Sequence, residues 1–317
     1  MNVLGVDVQP GTRHRLSSQP LDDFAGMRMA IPVWIAHGKQ PGKVLCVTAG
    51  IHGDELNGIE IARRVFVGTD PEGLSGTLVV LPVLNRHGFL AGTRYMHDRR
   101  DLNRSFPGAA KGSAAGMIAH SVFDSVICKS DALVDLHTAS DRRINLPQIR
   151  TDLASPAALD LARHFGVGVV LDGEGPPGSL RHSAMAGGVP AIIYEAGGVL
   201  ILQADEIERG VTGVLNVMRH LGMIPAVSAE KPPLAVVYKK TKWLRVPPGA
   251  AGMFLTTCKP GDVVEKGQQL GEVIDPLSDA TAAITSSSDG VIIGMVAPTV
   301  VYTGDALFHL GLERVEK

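Results

Sequence analysis

Short apolar runs alternate with amphipathic stretches through the first two-thirds of the chain. Continuous apolar runs bounded by turn residues are typical of buried strands. They occur at Val44–Gly50, Thr77–Leu84, Ala132–Leu136, Val167–Leu171 and Pro190–Tyr194. Apolar residues at helical spacing predict helices at Gly58–Phe66, 114–129, Ala154–His164 and Asp205–Leu221. Strands that alternate with helices predict an α/β fold whose parallel or mixed sheet is covered on both faces.

The pattern changes near Ile224–Pro233, a proline-rich stretch typical of a linker. Beyond it the apolar segments are short and are separated by turns rich in glycine and proline. This pattern predicts a small all-β region. We therefore predict two domains, residues 1–230 and 231–317.

The second region carries Gly261–Gly271 and Ser286–Val291, which resemble the lipoyl/biotinyl barrel-sandwich fold. A carrier domain of that kind needs a lysine at the tip of its central hairpin. This chain has Pro276–Ala280 there, without a lysine. We therefore expect a structural domain or a lid, and a carrier function is disfavoured.

Charge and composition exclude several classes of partner. The formal net charge is −2 and no long block of lysine or arginine occurs, so nucleic acid and anionic membranes are not expected as partners. No apolar run reaches the roughly 20 residues that a membrane-spanning helix needs. The first residues lack a secretory pattern, and the three cysteines are widely spaced. These features predict a soluble cytoplasmic protein.

Two polar clusters follow predicted strands. His52 and Glu55 lie in a glycine-flanked loop directly after the strand at Val44–Gly50, and His137 follows the strand at Ala132–Leu136. The carboxyl ends of neighbouring strands meet at one edge of an α/β sheet. Two imidazoles and a carboxylate are the protein ligands of many catalytic zinc ions, so the sequence predicts a zinc site.

Glu195 ends a predicted strand and is followed by Ala196–Gly198. One interpretation is a capping or salt-bridged carboxylate. The other is a general base that takes a proton from water activated by zinc and returns it to the leaving amine. We favour the general base.

The polar loop Thr93–Gly108 contains four arginines. Arg99 and Arg100 are interpreted as solvated surface residues. Arg94, Asn103 and Arg104 are favoured as site residues, because a guanidinium fork matches a carboxylate and can also stabilise an oxyanion.

Four motifs in this order resemble one family. They are His52-x-x-Glu55, Asp101–Arg104, Asp135–His137 and Glu195–Gly198. Together they are similar to the succinylglutamate desuccinylase/aspartoacylase family, over about residues 40 to 225, and the small β region also fits that family. The resemblance implies a zinc amide hydrolase with a zinc-carboxypeptidase-like mixed sheet and flanking helices.

The resemblance also implies the catalytic residues. His52, Glu55 and His137 correspond to ligands of one zinc ion per chain. Glu195 corresponds to the general base, and Arg94 to the arginine that polarises the scissile carbonyl.

Further residues correspond to substrate contacts. Asn103 and Arg104 look like the pair that binds the substrate carboxylate, and Arg181 like a further substrate-binding arginine. Tyr302 resembles a tyrosine that reaches in from the β region. Asp135 lies on the same strand face as His137, where it either orients that imidazole or caps a loop.

The sequence therefore predicts a zinc-dependent hydrolase that cleaves a small N-acyl amino acid into a carboxylate and a free amine. A metallocarboxypeptidase acting on peptides and a non-catalytic binding protein are the alternatives. The acyl group, the amino acid, the native metal and the oligomeric state, including a homo-oligomer, stay open. Deacetylation of an N-acetylated diamino acid is one role that the resemblance implies.

Overall fold

The computed structural model describes residues 2–3, 5–18, 30–226 and 236–316. The predicted linker from residue 227 onward and the predicted boundary at 230/231 lie outside the described residues. Among the described residues, no helix is long and apolar enough to cross a lipid bilayer.

The described residues of the first region contain ten strands. They are β1 (Asn2–Val3), β2 (Val6–Asp7), β3 (Thr12–Ser17), β4 (Pro32–His37), β5 (Gln40–Ala49), β6 (Ser75–Leu81), β7 (Ala132–His137), β8 (Arg143–Thr151), β9 (Val169–Asp172) and β10 (Ala191–Gly198). The same described residues contain six α-helices and two short 3-10 helices, at Leu102–Arg104 and Ile127–Lys129. The α-helices are α1 (Leu56–Gly68), α2 (Arg86–Ala91), α3 (Ala114–Ser125), α4 (Pro156–Phe165), α5 (Leu180–Ala186) and α6 (Ala204–His220).

The centre of the molecule is a mixed sheet. β6, β5, β7 and β10 lie side by side and pair in parallel, whereas β8 pairs antiparallel with β10. Successive residues of the buried strands pack on opposite faces: Leu45 and Val47 join one core cluster, and Cys46 joins the other. Helices α1, α4 and α6 contribute to the first cluster, and α3 and α5 to the second. The predicted mixed α/β sheet, covered on both faces, is confirmed.

Helix α6 packs closely against helices α4 and α1 at two glycines. A Cβ at Gly213 would lie 2.1 Å from a ring carbon of Phe165 on α4, and one at Gly210 would lie 2.3 Å from Ile61 on α1. Any larger residue would push the helix away, so the packing of α6 depends on hydrogen at both positions.

Several elements differ from the sequence prediction. β8 was not predicted, because its residues mix polar and apolar types without a continuous apolar run. The short helices α2 and α5 were missed as well. β10 continues past Tyr194 to Gly198, so Glu195 lies within the strand, next to an irregular register between Glu195 and Gly197.

Residues 236–316 contain strands and, among the described residues, no helix. The strands are β11 (Val236–Arg245), β12 (Gly252–Leu255), β13 (Val263–Val264), β14 (Gln269–Ile274), β15 (Thr281–Thr285), β16 (Gly290–Val296), β17 (Val300–Val301) and β18 (Ala306–Glu316). β15, β14, β12 and β17 form a separate four-stranded sheet. The barrel-sandwich likeness, the lid role and the division into two domains stay predictions.

The other strands of this region extend the central sheet. β11 pairs in parallel with β9 and antiparallel with β18, and β16 pairs with both β18 and β8. Because β8 also pairs with β9, the five strands β8, β9, β11, β18 and β16 form a closed ring of pairings. This ring brings side chains from the end of the chain to the edge of the sheet where β7 and β10 carry His137 and Glu195.

Candidate metal and substrate site

The predicted metal ligands lie together at the carboxyl ends of β5 and β7. His52 and Glu55 occupy the loop between β5 and α1, and His137 is the last residue of β7. The loop packs directly on α2, since a Cβ at Gly53 would lie 1.9 Å from the carbonyl carbon of Gly88. Only glycine permits this approach, which holds His52 and Glu55 next to the neighbouring strand end.

The three side chains face one another at hydrogen-bond distance. His52 Nδ1 lies 2.6 Å from Glu55 Oε1, and His137 Nδ1 lies 2.8 Å from Glu55 Oε2. One potential ligand atom from each residue falls within 4.8 Å of the other two. Only 1% of Glu55 and 4% of His137 is exposed. This cluster could hold a metal ion.

The second nitrogen of each imidazole meets another carboxylate. His137 Nε2 lies 2.9 Å from Asp135 Oδ2, and His52 Nε2 lies 3.2 Å from Asp101 Oδ1. Asp135 is itself fixed, because it accepts a 2.7 Å hydrogen bond from the Thr48 hydroxyl. Carboxylates in these positions orient ligating imidazoles and raise their basicity. Of the two roles considered for Asp135, this contact supports the orientation of His137.

The electrostatics of the cluster favour a cation. Burial raises the pKa of Glu55, but His52 and His137 outweigh it and hold that pKa well below its usual range. Burial lowers the pKa of His137, whereas Asp135 and Glu55 raise it well above the ordinary value. Three carboxylates thus contact two imidazoles, and this excess of negative charge fits a divalent ion with nitrogen and oxygen ligands.

Arg94 lies beside the same cluster. Its Nη2 and Nε donate to Asp101 Oδ2 at 2.8 and 3.2 Å, and its Nη1 lies 3.7 Å from Glu55 Oε1. The Asn85 side chain donates to the Arg94 carbonyl oxygen at 3.0 Å, which fixes the backbone at this point. Arg94 is therefore held with its guanidinium next to the predicted metal ligands.

Glu195 faces the same region from β10. It pairs in register with His137 on β7. Its carboxylate accepts a hydrogen bond from the Asn145 amide, and Arg150 Nε lies 3.4 Å from its Oε1. Both contacts come from β8, so the position of Glu195 depends on a strand that was not predicted.

These side chains line one cavity of about 400 Å³. The predicted site residues that line it are His52, Glu55, Arg94, Asn103, Arg104, His137, Arg181 and Glu195. Side chains without a predicted role also line it, among them Arg143, Asn145, Arg150, Trp243 and His309. A cavity of this volume suits a small molecule.

The predicted substrate-binding residues differ in their surroundings. Asn103 is buried, and its Oδ1 accepts a 2.8 Å hydrogen bond from the backbone nitrogen of Leu180 at the start of α5. Arg104 is exposed, and its Nη1 donates to the Asn103 carbonyl oxygen at 2.6 Å. Arg181 is 5% exposed and donates to the Gly173 carbonyl oxygen at 2.7 Å. Burial, followed by the charge of Arg150, lowers the pKa of Arg181 to about 10.

Tyr302 does not lie with the other predicted residues. It occupies the turn between β17 and β18, is 64% exposed and is not among the residues that line the cavity. The expectation that it reaches into the site is therefore not supported by this structure. β11 and β18 instead contribute Trp243 and His309, which are paired across the two strands.

Two cavity residues, His309 and Arg143, pack against the ring of Trp243. The His309 ring stacks on it with centroids 4.1 Å apart and planes at 3°, and the Arg143 guanidinium carbon lies 5.1 Å from its centroid. Burial, with the charges of Arg150 and Arg143, lowers the pKa of His309 to about 3, so its ring is neutral at neutral pH. The sequence offered no signal for these residues, since each was indistinguishable from an ordinary packing or surface residue.

Comparison with known proteins agrees with the motifs. The sequence profile of the succinylglutamate desuccinylase/aspartoacylase catalytic domain matches residues 41–221. The chain is 26% identical over 320 residues to the N-alpha-acetyl-L-2,4-diaminobutyric acid deacetylase of Halomonas elongata, a match that covers 94% of this chain and 90% of that protein.

Solved structures share the fold. A succinylglutamate desuccinylase/aspartoacylase from Rhodobacter sphaeroides superimposes with a TM-score of 0.85 at 24% identity, covering 96% of this chain and 97% of that one. The product-bound ectoine utilization protein EutE (DoeB) from Ruegeria pomeroyi superimposes with a TM-score of 0.84 at 22% identity, covering 95% of each chain.

Proposed function

The chain belongs to the succinylglutamate desuccinylase/aspartoacylase family, and from that membership we propose that it is a zinc-dependent hydrolase of small N-acyl amino acids. It cleaves the amide bond to give a carboxylate and a free amine. The observation that carries the proposal is the buried cluster of His52, Glu55 and His137 in the same cavity as Arg94 and Glu195. The Halomonas relative, a deacetylase of an acetylated amino acid, supports the same reaction class.

His52, Glu55 and His137 would hold the zinc ion. Their fit rests on the two ring nitrogens that converge on one buried carboxylate, and on the carboxylates of Asp101 and Asp135 behind the rings. When bound, zinc supplies Lewis-acid chemistry that polarises a carbonyl group and makes water more acidic.

Glu195 is the proposed general base and acid. Its carboxylate accepts a proton from the attacking water and returns it to the leaving nitrogen. Its place in the cavity, in register with His137, supports this role. Asn145 and Arg150 hold the carboxylate from β8, which limits its rotation during both proton transfers.

Arg94 is proposed to stabilise the charge that develops on the acyl oxygen. Asp101 binds two of its nitrogens and so fixes the guanidinium in place before substrate arrives, as electrostatic catalysis requires. Asn103 and Arg104 are proposed to anchor the carboxylate of the amino acid, and Arg181 to bind the substrate farther along the cavity. The partner of the site is thus a small anionic molecule.

The reaction is tested by amine release from a panel of N-acetyl-, N-succinyl- and N-formyl-amino acids. We expect release from a few members, loss of release after metal stripping and recovery on addition of zinc. Cleavage of C-terminal residues from peptides, with the N-acyl amino acids untouched, would instead indicate a metallocarboxypeptidase. No release by a zinc-loaded protein would contradict catalysis and favour a binding role.

A further inference from the structure

We propose that Gly294 on β16 is a positioning residue for the reaction: it leaves room for the Asn145 side chain, which in turn holds the carboxylate of Glu195. The inference rests on the proposed function, because it takes Glu195 as the general base. Gly294 itself is not among the residues that line the cavity, so its effect reaches the reaction through Asn145. The C-terminal β region thus acts on the general base from behind.

Gly294 lies between two strands that contribute residues to the cavity. It is paired with Asn145 on β8 and with His309 on β18, and both of these side chains line the cavity. The residue is buried, and the register with β18 shifts between Ile292 and Gly294. Position 294 is therefore the place where the C-terminal strands meet the residue that contacts Glu195.

A side chain at position 294 would need space that Asn145 already occupies. A Cβ there would lie 2.5 Å from Asn145 Oδ1, closer than non-bonded atoms approach, and 3.5 Å from the carbonyl oxygen of Ile144, an ordinary contact. The φ angle of Gly294 is not in the left-handed region, so the backbone conformation does not require glycine. Glycine is needed at this position for the space beside Asn145.

The Asn145 amide transmits crowding at position 294 to Glu195. Asn145 is buried, and its side-chain nitrogen donates to Glu195 Oε2. The amide is one planar group, so a rotation that moves Oδ1 away from position 294 also moves the nitrogen that donates. Hydrogen bonds weaken steeply as their geometry is lost, and the Glu195 carboxylate would then be held less firmly.

The crowding falls on the end of a side chain, not on the backbone. β8 and β16 are joined by three antiparallel residue pairs, which include Asn145 with Gly294. Rotating one side chain costs less than separating two strands and leaving buried backbone groups unpaired. We therefore expect Gly294→Ala to keep the fold and to disturb the hydrogen bond between Asn145 and Glu195.

The same pairing bears on the two roles expected for the C-terminal β region, a structural domain or a lid. β16 is paired with β8 at Asn145 itself. A movement that lifted β16 away would break this pairing and remove the support behind Asn145. β16 is therefore assigned a fixed role in catalysis.

Steady-state kinetics of zinc-loaded Gly294→Ala, on the best substrate of the N-acyl amino acid panel, test the role of Gly294. A displaced hydrogen bond keeps part of its strength, so we expect kcat to fall about three- to tenfold. KM and zinc content should match the wild type, because neither the cavity lining nor the metal ligands change. An unchanged kcat, or a loss confined to KM, would overturn the proposal.

Gly290→Ala is the matched control on the same strand. A Cβ at Gly290 would lie 2.7 Å from the carbonyl oxygen of Gly311 and 2.9 Å from Leu312, both on β18. The substitution thus crowds β16 at least as much as Gly294→Ala does, but not against Asn145. We expect kcat to match the wild type. A loss of kcat equal to that of Gly294→Ala would indicate a general distortion of β16 and would overturn the proposal.

A double-mutant cycle separates positioning through Asn145 from any other effect. Asn145→Ala removes the side chain that Gly294→Ala would displace. In the Asn145→Ala background, Gly294→Ala should therefore change kcat by less than about twofold. Losses that multiply in the double variant, or an unchanged kcat in Asn145→Ala, would mean that Gly294 does not act through this side chain.

The double variant also decides the question if Gly294→Ala alone does not fold. Alanine at both positions removes the clash, so the double variant should fold and show the kcat of Asn145→Ala. A double variant that does not fold would place the clash on the backbone and overturn the proposal. Failure of the hydrolase gives a different result: no amine release by the zinc-loaded wild type, or near-full release by Glu195→Gln, overturns both.

Discussion

The metal-ligand cluster and the side of the cavity formed by Arg143, Arg150, Arg181 and His309, here called the cationic wall, differ in how their polar atoms are satisfied. In the cluster of His52, Glu55 and His137, each ring nitrogen faces a carboxylate of the chain itself. In the cationic wall, Arg181 Nε and His309 Nδ1 are buried and have no hydrogen-bond partner among the described residues. The polar atoms of the metal-ligand cluster are therefore satisfied by the chain itself, whereas the wall keeps two buried nitrogens that no described residue pairs.

The largest expected effect comes from the centre of the cluster. Glu55→Ala removes the carboxylate that lies between the two imidazoles, so we expect loss of bound zinc and a loss of kcat/KM of more than about a thousandfold. Metal analysis and amine release measure the two effects. Glu60→Gln, on the surface of α1, is the control and should keep both zinc and activity. Full activity in Glu55→Ala would contradict the predicted ligand set.

A smaller effect is expected at Asp135, which contacts the predicted metal ligand His137. Asp135→Asn keeps the shape of the side chain but removes the charge that faces His137 Nε2. Such outer carboxylates contribute about 10- to 100-fold to metal affinity or activity, and we expect a loss of zinc affinity in that range. Competition with a chelator measures the affinity. Asp160→Asn, on the exposed side of α4, should match the wild type, and an equal loss there would point to a general effect of charge.

A loss of activity smaller again is expected at Asn145, whose side-chain amide donates to Glu195. Asn145→Ala removes the hydrogen bond that β8 gives to Glu195. The carboxylate then has more freedom, so we expect kcat to fall by about tenfold while zinc content stays at one ion per chain. A change in KM alone, with kcat preserved, would show that Asn145 contacts substrate instead of holding the base.

The smallest effect concerns stability. The pKa of His309 is about 3 in the folded protein, below its ordinary value of 6.5. Between these values the unfolded chain binds a proton that the folded chain does not, so His309 lowers stability progressively as pH falls below 6.5. At pH 5 this amounts to about 2 kcal/mol.

His309→Phe removes that dependence. Between pH 7 and pH 5 the wild type should therefore lose about 2 kcal/mol more free energy of unfolding than His309→Phe does. Urea unfolding at the two pH values measures the difference. Equal losses of unfolding free energy in wild type and His309→Phe would mean that folding does not lower the pKa of His309.

The cluster and the wall also differ in how far the sequence predicts them. His52, Glu55 and His137 follow strands with clear apolar runs, and parallel strands deliver their carboxyl ends to one edge. The local sequence pattern was therefore enough to predict that these three side chains lie close together. The family resemblance from the four motifs is confirmed by the profile match over residues 41–221.

Arg181 of the wall was predicted from the family resemblance, but the other residues of the wall depend on long-range pairing that no local pattern reveals. Arg143, Asn145 and Arg150 lie on β8, whose mixed composition hides the strand and whose register with β10 decides which side chains face Glu195. His309 arrives only through the pairing of β18 with β11. Tyr302, expected at the site, lies in an exposed turn between β17 and β18 instead.

The most direct test of the central claim compares wild type with Glu195→Gln for zinc content and amine release. Glutamine keeps the size of the side chain but cannot take the proton from water. We predict one zinc ion per chain in both proteins and a loss of amine release of more than about a thousandfold in Glu195→Gln. Near-full amine release from zinc-loaded Glu195→Gln would contradict the proposed mechanism.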